Sequence, residues 1–189
     1  MSRSAVFLDR DGTINEEVDY LYRPQDLVFL PGVAAAIRRL NEAGLLVVVV
    51  TNQSGVARGY YAEADVCRLH QVMADQLARQ GARIDAFYYC PHHPEKGNPP
   101  YVGPCSCRKG APGMLMQAAT DLGIDLTSSF MVGDKWVDVE AGRAAGASSL
   151  LVLTGHGRKT KDALGEDFEG VPVCDNLSDA VDRILGPSC

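Results

Sequence analysis

The nine residues at positions 5–13, AVFLDRDGT, join a fully apolar stretch to an acidic turn. Ala5–Leu8 has the length and apolar character of a short buried strand. Asp9 and Asp11 follow it directly, and Gly12 lets the backbone turn sharply. In a parallel sheet, ligands bind beyond the carboxyl ends of the strands. This stretch therefore predicts both a parallel α/β fold and the place of its functional site.

Segments with strand and helix periodicity alternate along the rest of the chain. Leu45–Val50 is the longest apolar run and predicts a second buried strand. Further strands are predicted at 84–89, 130–132, 150–153 and, weakly, 171–174, and helices at 33–40, 66–77, 115–122, 136–145 and 181–185. This alternation predicts an α/β class fold, a doubly wound parallel sheet with helices on both faces. Since no repeat or long linker interrupts it, we expect one domain over residues 1–189.

Length and composition are those of an ordinary globular protein. Of the 189 residues, 46% are hydrophobic and 22% charged, which argues against disordered and coiled-coil classes. The formal net charge is −6, which disfavours a broad nucleic-acid surface. The sequence shows no leader and no apolar run near the ~20 residues of a membrane helix. We therefore expect a cytoplasmic protein, monomeric, with neither nucleic acid nor membrane as a partner.

The acidic turn has the chemistry of a cation site. Asp9 and Asp11 are two residues apart, so both can face one site. Two close carboxylates repel each other, and a divalent cation relieves that repulsion. Asp134 follows another apolar segment and a glycine, and suits a third oxygen ligand of Mg²⁺. The alternative is an Asx-type turn, in which the aspartates only bond the local backbone.

Four ordered strings resemble the motifs of the haloacid dehalogenase superfamily of phosphotransferases. They are FLDRDGT at 7–13, VVTN at 49–52, RK at 108–109 and GDKWVD at 133–138. Each string is short, but the four together, in the family's order, are highly specific and cover most of the chain. The resemblance implies a Rossmann-like core without a large cap domain. It also implies a phosphatase or phosphomutase, since the family places an aspartate at position 11 in those members.

The resemblance assigns chemical roles to four residues. Asp9 is implied as the nucleophile that forms an aspartyl-phosphate, which divides a hard hydrolysis into two easier steps. Asp11 is implied as the general acid that protonates the leaving oxygen and then as the base for water. Thr51 and Lys109 are implied as donors to the phosphoryl oxygens, where they stabilise the charge of the transition state.

The same resemblance implies a Mg²⁺ site. Its ligands are the Asp9 side chain, the Asp11 backbone carbonyl and Asp134. Asp138 is implied to orient Lys109 or a metal-bound water. Lys135 lies beside these residues in the sequence, and it is either part of the site or a plain surface lysine.

Cysteine and histidine residues flank a loop at about residues 90–108. Cys90 and His92 stand at its start, and Cys105 and Cys107 at its end, each pair with one intervening residue. This pattern suits a tetrahedral Cys₃His zinc site, structural because four protein ligands leave no open position. His93 is an alternative to His92, and three ordinary thiols beside a solvated His pair are the simpler interpretation. The other cysteines are assigned to packing or the chain end: Cys67, Cys174 and Cys189.

Within the superfamily, the missing cap and this loop resemble two groups, the phosphatases of a heptose 1,7-bisphosphate and those of histidinol phosphate. TNQSGVARG at 51–59, YYCPHHP at 88–94 and CSCRK at 105–109 resemble the first group closely. The resemblance implies a phosphorylated sugar as substrate, removal of its C7 phosphate, and a role in making lipopolysaccharide. The substrate contacts it implies are the loop near Glu17 to Tyr20, with Asn52, Gln53, Ser54, Arg58 and Arg108.

A function of a different class also stays open, a zinc-stabilised module that binds nucleic acid. Such a module needs clustered cations and aromatic side chains that stack on bases. The loop offers Lys96, Arg108 and Lys109 as cations and Tyr101 as an aromatic residue. These are few, so the sequence favours the phosphatase.

Overall fold

The computed structural model describes residues 3–165 and 170–186. Within these ranges, six strands alternate with six α-helices. The strands are β1 Ala5–Leu8, β2 Leu46–Asn52, β3 Ala86–Cys90, β4 Phe130–Gly133, β5 Ser148–Val152 and β6 Val173–Cys174. The helices are α1 Val33–Glu42, α2 Glu63–Ala78, α3 Gly113–Leu122, α4 Trp136–Ala145, α5 Gly157–Leu164 and α6 Leu177–Leu185. The strands form one sheet in the order β3-β2-β1-β4-β5-β6, and all neighbours are parallel.

Strand β1 lies inside the sheet, between β2 and β4. Val6 and Leu8 belong to a core cluster that includes residues of α1, α2 and α6. Ala5 and Phe7 belong to a second cluster that includes residues of α3 and α4. Because successive side chains of a strand point to opposite faces, a strand covered on both faces must be apolar throughout. The predicted doubly wound parallel sheet is confirmed.

The register of the sheet brings three strand ends together. Leu8 at the end of β1 is opposite Val49 of β2 and Val132 of β4. The polar residues that follow these strands therefore share one edge of the sheet. Strand β2 extends to Asn52, two residues beyond the predicted end, because Thr51 and Asn52 still pair with β3.

Helix α5 is a difference from the prediction, which places only a turn at residues 155–157. The helix begins at Gly157, and its other residues are exposed or half-buried, so no apolar periodicity marks it. A Cβ on Gly157 would lie 1.8 Å from the carbonyl oxygen of Val152, so only glycine fits there.

The remaining predictions about the whole chain have different outcomes. No described helix combines the length and apolar content that crossing a membrane requires. Cys174 is buried in β6, and Cys67 is exposed on α2. Cys189 lies outside the described residues. The single domain over 1–189 stays a prediction.

Candidate active site

Three buried carboxylates lie beyond the ends of β1 and β4. Asp9, Asp134 and Asp138 are each at most 4% exposed. One oxygen from each lies within 4.8 Å of the others. Burial, together with the charge of Asp9, raises the pKa of Asp134 to about 8 and that of Asp138 to about 6. The cluster holds more negative charge than a buried site accommodates without a counter-ion.

Lys109 supplies one positive charge to this cluster. Its Nζ lies 2.5 Å from Asp9 Oδ1 and 2.8 Å from Asp138 Oδ1. Burial opposes the charged form of Lys109, but the two carboxylates outweigh it and raise the pKa of the ammonium group. The backbone N–H of Lys109 donates to Asn52 Oδ1 at 2.9 Å, which ties this loop to the end of β2.

Asp134 provides an observation that fits a hard cation. Its Oδ2 accepts a 2.7 Å hydrogen bond from the backbone N–H of His156. Its Oδ1 is buried without a hydrogen-bond partner among the described residues. A buried carboxylate oxygen is rarely left without a partner, and Mg²⁺ prefers oxygen ligands. The donor set of this cluster therefore fits Mg²⁺.

Two glycines pack against the same carboxylate. A Cβ on Gly12 would lie 2.3 Å from Asp134 Oδ2, and one on Gly155 would lie 2.4 Å from it. Gly12 also has a φ of 84°, a conformation that side chains disfavour. The turn after β1 can approach Asp134 closely because position 12 is glycine.

Asp11 is held apart from the carboxylate cluster by the residue before it. Arg10 is fully buried and donates three hydrogen bonds of 2.8–3.1 Å to the Asp11 carboxylate. Asn15 Nδ2 and Gln53 Nε2 also donate to it, at 3.0 and 3.2 Å. Burial alone raises the pKa of Asp11, but the Arg10 charge and these hydrogen bonds outweigh it and lower the pKa. Asp11 is thus ionised in this arrangement.

Two cavities open beside the nucleophile candidate. A small one of about 40 Å³ is lined by Asp9, Asp11, Thr51, Asn52, Lys109, Lys135, Val137 and Asp138. A larger one of about 170 Å³ shares Asp11, Asn52 and Lys135 with it. The other residues that line the larger cavity are Glu17, Asp19, Tyr20, Gln53, Ser54, Tyr61 and His156. Together the two cavities have room for a phosphoryl group and for the polar remainder of a substrate.

Lys135 is not a plain surface lysine, because it lines both cavities. Its Nζ donates a 2.7 Å hydrogen bond to Glu17 Oε2, and His156 Nε2 lies 3.4 Å from the same oxygen. Burial opposes the charge of Lys135, but Asp134, Asp9 and Glu17 outweigh it and raise its pKa. These contacts place Glu17 beside the cluster, as the sequence predicts for a substrate contact.

Three other predicted substrate contacts, Tyr20, Asn52 and Ser54, also line the larger cavity. Gln53 lines it too, but its side chain is engaged by other protein groups. Asp19, in the predicted contact loop at 17–20, lines the cavity as well. Tyr61 and His156 also line it without having been predicted, because they lie outside the four family motifs.

The two predicted arginine contacts take a different position from the one expected. Arg58 Nη2 lies 3.2 Å from His93 Nε2, and its guanidinium lies 5.8 Å from the centre of the Tyr20 ring. Arg108 Nη1 donates to the backbone carbonyl of His92 at 3.1 Å. Neither residue is among those that line the two cavities. Both guanidinium groups lie against the cysteine loop, Arg108 at the His92 carbonyl, which accepts its hydrogen bond, and Arg58 beside the His93 ring.

The cysteine loop brings four metal-ligating atoms together. The Sγ atom of Cys90 lies 3.6 Å from that of Cys105 and 3.0 Å from that of Cys107. His92 Nδ1 lies 3.4 Å from Cys107 Sγ and 3.7 Å from Cys90 Sγ. Zinc bonds of ~2.0–2.3 Å in a tetrahedron require ligand separations of ~3.5–3.8 Å. The donor set therefore fits zinc, and the separations lie near this range except that between Cys90 and Cys107, which is shorter.

His93 is engaged elsewhere, which separates it from its neighbour His92. Its Nδ1 accepts hydrogen bonds from the backbone N–H groups of Glu95 and Lys96, at 3.0 and 2.8 Å. Its Nε2 faces Arg58. Both ring nitrogens of His93 are thus occupied within the loop, and the His93 alternative for the cluster has no support from the geometry.

Comparisons with known proteins agree with this geometry. The HAD-hydrolase-like family model matches residues 106–180. The D-glycero-beta-D-manno-heptose-1,7-bisphosphate 7-phosphatase of Rhodopseudomonas palustris is 51% identical over 144 residues, 76% of this chain and 80% of that protein. The protein of the same name from Vibrio cholerae is 46% identical over 186 residues, 98% of each chain.

A solved structure has the same fold as this chain. The D,D-heptose 1,7-bisphosphate phosphatase of B. bronchiseptica, complexed with magnesium and phosphate, superposes with a TM-score of 0.85. It is 39% identical in sequence, over 96% of this chain and 98% of that one. These relatives do not favour a histidinol phosphate phosphatase or a nucleic-acid module.

A parallel sheet whose carboxyl edge carries the Asp9–Asp11 turn, Thr51, Lys109 and Asp134 defines a hydrolase of the haloacid dehalogenase type. Such an enzyme is a phosphoric monoester hydrolase. Within this superfamily, the chain belongs to the D-glycero-D-manno-heptose-1,7-bisphosphate 7-phosphatase family.

Proposed function

We propose that this enzyme removes the C7 phosphate of D-glycero-D-manno-heptose 1,7-bisphosphate and leaves the 1-phosphate, in the cytoplasmic synthesis of lipopolysaccharide heptose. The observation that carries this proposal is the buried group of Asp9, Lys109, Asp134 and Asp138 at the carboxyl edge of the sheet. The names of the relatives that match nearly the whole chain support the substrate.

The chemistry proceeds in two steps through Asp9. Asp11, ionised in the resting arrangement, first takes up a proton from solvent as its contacts with Arg10 loosen. A carboxylate oxygen of Asp9 attacks phosphorus, the bond from phosphorus to the C7 oxygen breaks, and Asp11 gives its proton to that oxygen. Water then attacks the aspartyl-phosphate, Asp11 takes the proton from water, and inorganic phosphate leaves. For both transfers Asp11 must exchange part of its hydrogen bonding with Arg10, Asn15 and Gln53 for the reacting oxygen.

Asp9, Asp134 and the backbone carbonyl of Asp11 would hold Mg²⁺. A bound ion would supply positive charge that offsets the charge of the phosphoryl oxygens. Lys109 adds a fixed positive charge to the same small cavity, because Asp138 holds its ammonium group at 2.8 Å. Preorganised charge of this kind costs no reorganisation during the reaction.

The larger cavity supplies contacts for the sugar. Its carboxylate, amide and hydroxyl groups can accept from and donate to sugar hydroxyls, through Glu17, Asn52 and Ser54. The second phosphate of the substrate needs a cation outside this cavity. Arg58 and Arg108, at the cysteine loop, carry the charge suited to it, with the bidentate geometry that arginine offers to phosphate.

We propose a structural role for zinc at Cys90, His92, Cys105 and Cys107. The loop leads directly into Arg108 and Lys109, so an ion there holds the backbone that positions both side chains. Thiols of this kind stay reduced in the cytoplasm, which supports a cytoplasmic location.

The test is phosphate release in Mg²⁺, measured on the two anomers of heptose 1,7-bisphosphate, on heptose 7-phosphate and on histidinol phosphate. We expect kcat/KM for the bisphosphate to exceed that for histidinol phosphate by 10²-fold or more, about 2.7 kcal/mol of transition-state binding. The names of several relatives favour the beta anomer.

One variant and two comparisons test the parts of the proposal separately. Arg108→Lys should lower kcat/KM for the bisphosphate and leave that for heptose 7-phosphate within twofold, because only the former has a second phosphate. If histidinol phosphate is the better substrate, the sugar assignment is wrong and the Asp9 chemistry is untouched. If EDTA leaves activity unchanged, the Mg²⁺ assignment is wrong.

A further inference from the structure

Gln53 and Tyr61 form a hydrogen-bonded chain that ends at Thr51. The Tyr61 hydroxyl donates to Gln53 Oε1 at 2.8 Å, and Gln53 Nε2 donates to Thr51 Oγ1 at 2.9 Å. All three residues are buried, with Thr51 1%, Gln53 2% and Tyr61 8% exposed. No role follows for Tyr61 from the proposed chemistry, yet it lies within two hydrogen bonds of a group that faces the phosphoryl cavity.

The polarity of this chain is determined at both ends. The Gln53 amide also faces Asp11 Oδ2 at 3.2 Å, an oxygen that accepts a 2.8 Å hydrogen bond from Arg10 and so acts as an acceptor. The group of Gln53 that faces Asp11 must therefore be its NH₂, and the same NH₂ faces Thr51. The amide oxygen of Gln53 then faces the Tyr61 hydroxyl. Burial raises the pKa of Tyr61 to about 12, so this hydroxyl stays protonated and can donate.

The consequence falls on the Thr51 hydroxyl. Because Thr51 Oγ1 accepts from Gln53, its own O–H is available to donate. Among residues 3–165 and 170–186, no acceptor for that O–H is found. Thr51 lines the small cavity together with Asp9 and Lys109. The free O–H is thus directed to the place of the phosphoryl oxygens.

Tyr61 itself is held by its surroundings. Its ring stacks on Tyr22 with 5.1 Å between the centroids and 20° between the planes. The ring also crosses Gly55, where a Cβ would lie 2.3 Å from Tyr61 Cε1 and 2.6 Å from its hydroxyl oxygen. Glycine at position 55 therefore leaves the space in which the Tyr61 hydroxyl reaches Gln53.

We propose that Tyr61 and Gln53 are positioning residues that orient the Thr51 O–H toward the transferred phosphoryl group. This inference rests on the proposed function, since it assigns a second layer to the same phosphate site. The effect passes through Thr51 more than through Asp11. Asp11 keeps four other hydrogen bonds if Gln53 shifts, whereas the Thr51 hydroxyl loses the one it accepts from Gln53.

A double-mutant cycle of Tyr61→Phe with Thr51→Val tests this coupling. Phosphate release is measured on heptose 1,7-bisphosphate and on p-nitrophenyl phosphate, so that a wrong sugar assignment does not affect the cycle. We expect Tyr61→Phe to lower kcat about tenfold with KM within threefold, since an oriented donor acts in the transition state. In the Thr51→Val background, Tyr61→Phe should change kcat less than threefold.

Tyr88→Phe is the matched control. It also removes a tyrosine hydroxyl that donates to a side chain, Asp121 Oδ2 at 2.9 Å. Tyr88 is opposite Val50 in the sheet but lines neither of the two cavities. Its kcat should stay within twofold of the wild type. A change of threefold or more for Tyr61→Phe in the Thr51→Val background, or a loss below threefold in the wild type, overturns the proposal.

Discussion

Arg10 lies between the two aspartates of the acidic turn after β1 and contacts both. Its backbone N–H donates to Asp9 Oδ1 at 2.7 Å, and its guanidinium forms an ion pair with Asp11 at 2.8 Å. Because Arg10 is fully buried, water does not screen that pair. The guanidinium also donates to the Leu21 carbonyl, so the loop after the turn is tied to the same group. One side chain thereby gives two neighbouring carboxylates different environments and suits them to different roles.

Asp9→Asn should abolish phosphate release, because an amide cannot form the aspartyl-phosphate. We expect a loss of 10³-fold or more in kcat with the melting temperature retained, since Lys109 keeps its partner Asp138. Phosphate release and a thermal melt check this. Asp26→Asn, which breaks only an exposed ion pair with Arg23, serves as the control. Substantial turnover by Asp9→Asn would show that another group is the nucleophile.

Mg²⁺ should stabilise the enzyme more at pH 8 than at pH 6. In the metal-free protein the pKa of Asp134 is raised to about 8 and that of Asp138 to about 6, so the folded state holds protons that the unfolded state releases above about pH 4. Metal-free stability therefore falls as pH rises through this window. The lowered pKa of Asp11 acts in the opposite direction, below pH 4.

The measurement is the melting temperature at both pH values, in EDTA and in Mg²⁺. A bound Mg²⁺ ion offsets the repulsion among the carboxylates, so the rise in melting temperature that it causes grows as the carboxylates lose protons. Asp134→Asn should remove most of the pH dependence of this effect. An equal Mg²⁺ effect at both pH values in the wild type would contradict the prediction.

At the scale of elements, the loop between β3 and α3 depends on its cysteines rather than on a core. Of its residues between 94 and 100, all are exposed. The loop is anchored by Cys90, which is buried at the end of β3, and by backbone hydrogen bonds such as that from Asn98 to the Ala57 carbonyl. A segment with so little apolar burial needs another source of order, and a structural metal supplies one.

Cys107→Ser should lose a zinc ion that the wild type carries at about one per chain. Since structural zinc contributes directly to folding, we expect a lower melting temperature and lower activity through Lys109. Elemental analysis and a thermal melt measure both. Cys67→Ser, at an exposed cysteine outside the cluster, should keep its zinc. Metal-free wild type that is stable and fully active would contradict a structural zinc.

At the scale of the molecule, the site depends on the order of the strands. Because β2 and β4 flank β1, the ends of three strands meet, and residues far apart in sequence share one small cavity. The cavity receives a positive charge from the loop after β3 and carboxylates from β1 and β4. With no large cap in the described chain, loops around the edge form the larger cavity.

The enzyme should sediment as a monomer of 20.3 kDa. Among the described residues, the large exposed hydrophobic side chains are Val18, Tyr20, Val28, Tyr60 and Met116. Tyr20 and Tyr60 pack edge to face at 4.8 Å, and Tyr20 lines the larger cavity, so part of this surface belongs to the site. Analytical ultracentrifugation at micromolar concentration measures the mass. A stable dimer there would contradict the prediction.

Much of the fold follows from local patterns in the sequence. The segments Ala5–Leu8 and Leu46–Val50 are apolar throughout, which indicates strands that are covered on both faces. Helix α4 matches its predicted range of 136–145. The paired cysteines around the loop point to a cluster because soft ligands at such spacing have few other uses in a reducing compartment. Helix α5 escapes prediction because it buries almost nothing.

By itself, then, the sequence determined the fold class, the acidic turn at Asp9 and Asp11, and most residues of the two clusters that could hold a metal ion. The tertiary structure alone decided that Lys135 pairs with Glu17 across 118 residues, that His92 rather than His93 joins the cysteines, and that Tyr61 reaches Thr51 through Gln53. The physical reason is that the spacing of apolar residues along a segment indicates which of its faces is buried. Contacts between distant side chains depend instead on which strands are neighbours and how the loops cross their ends.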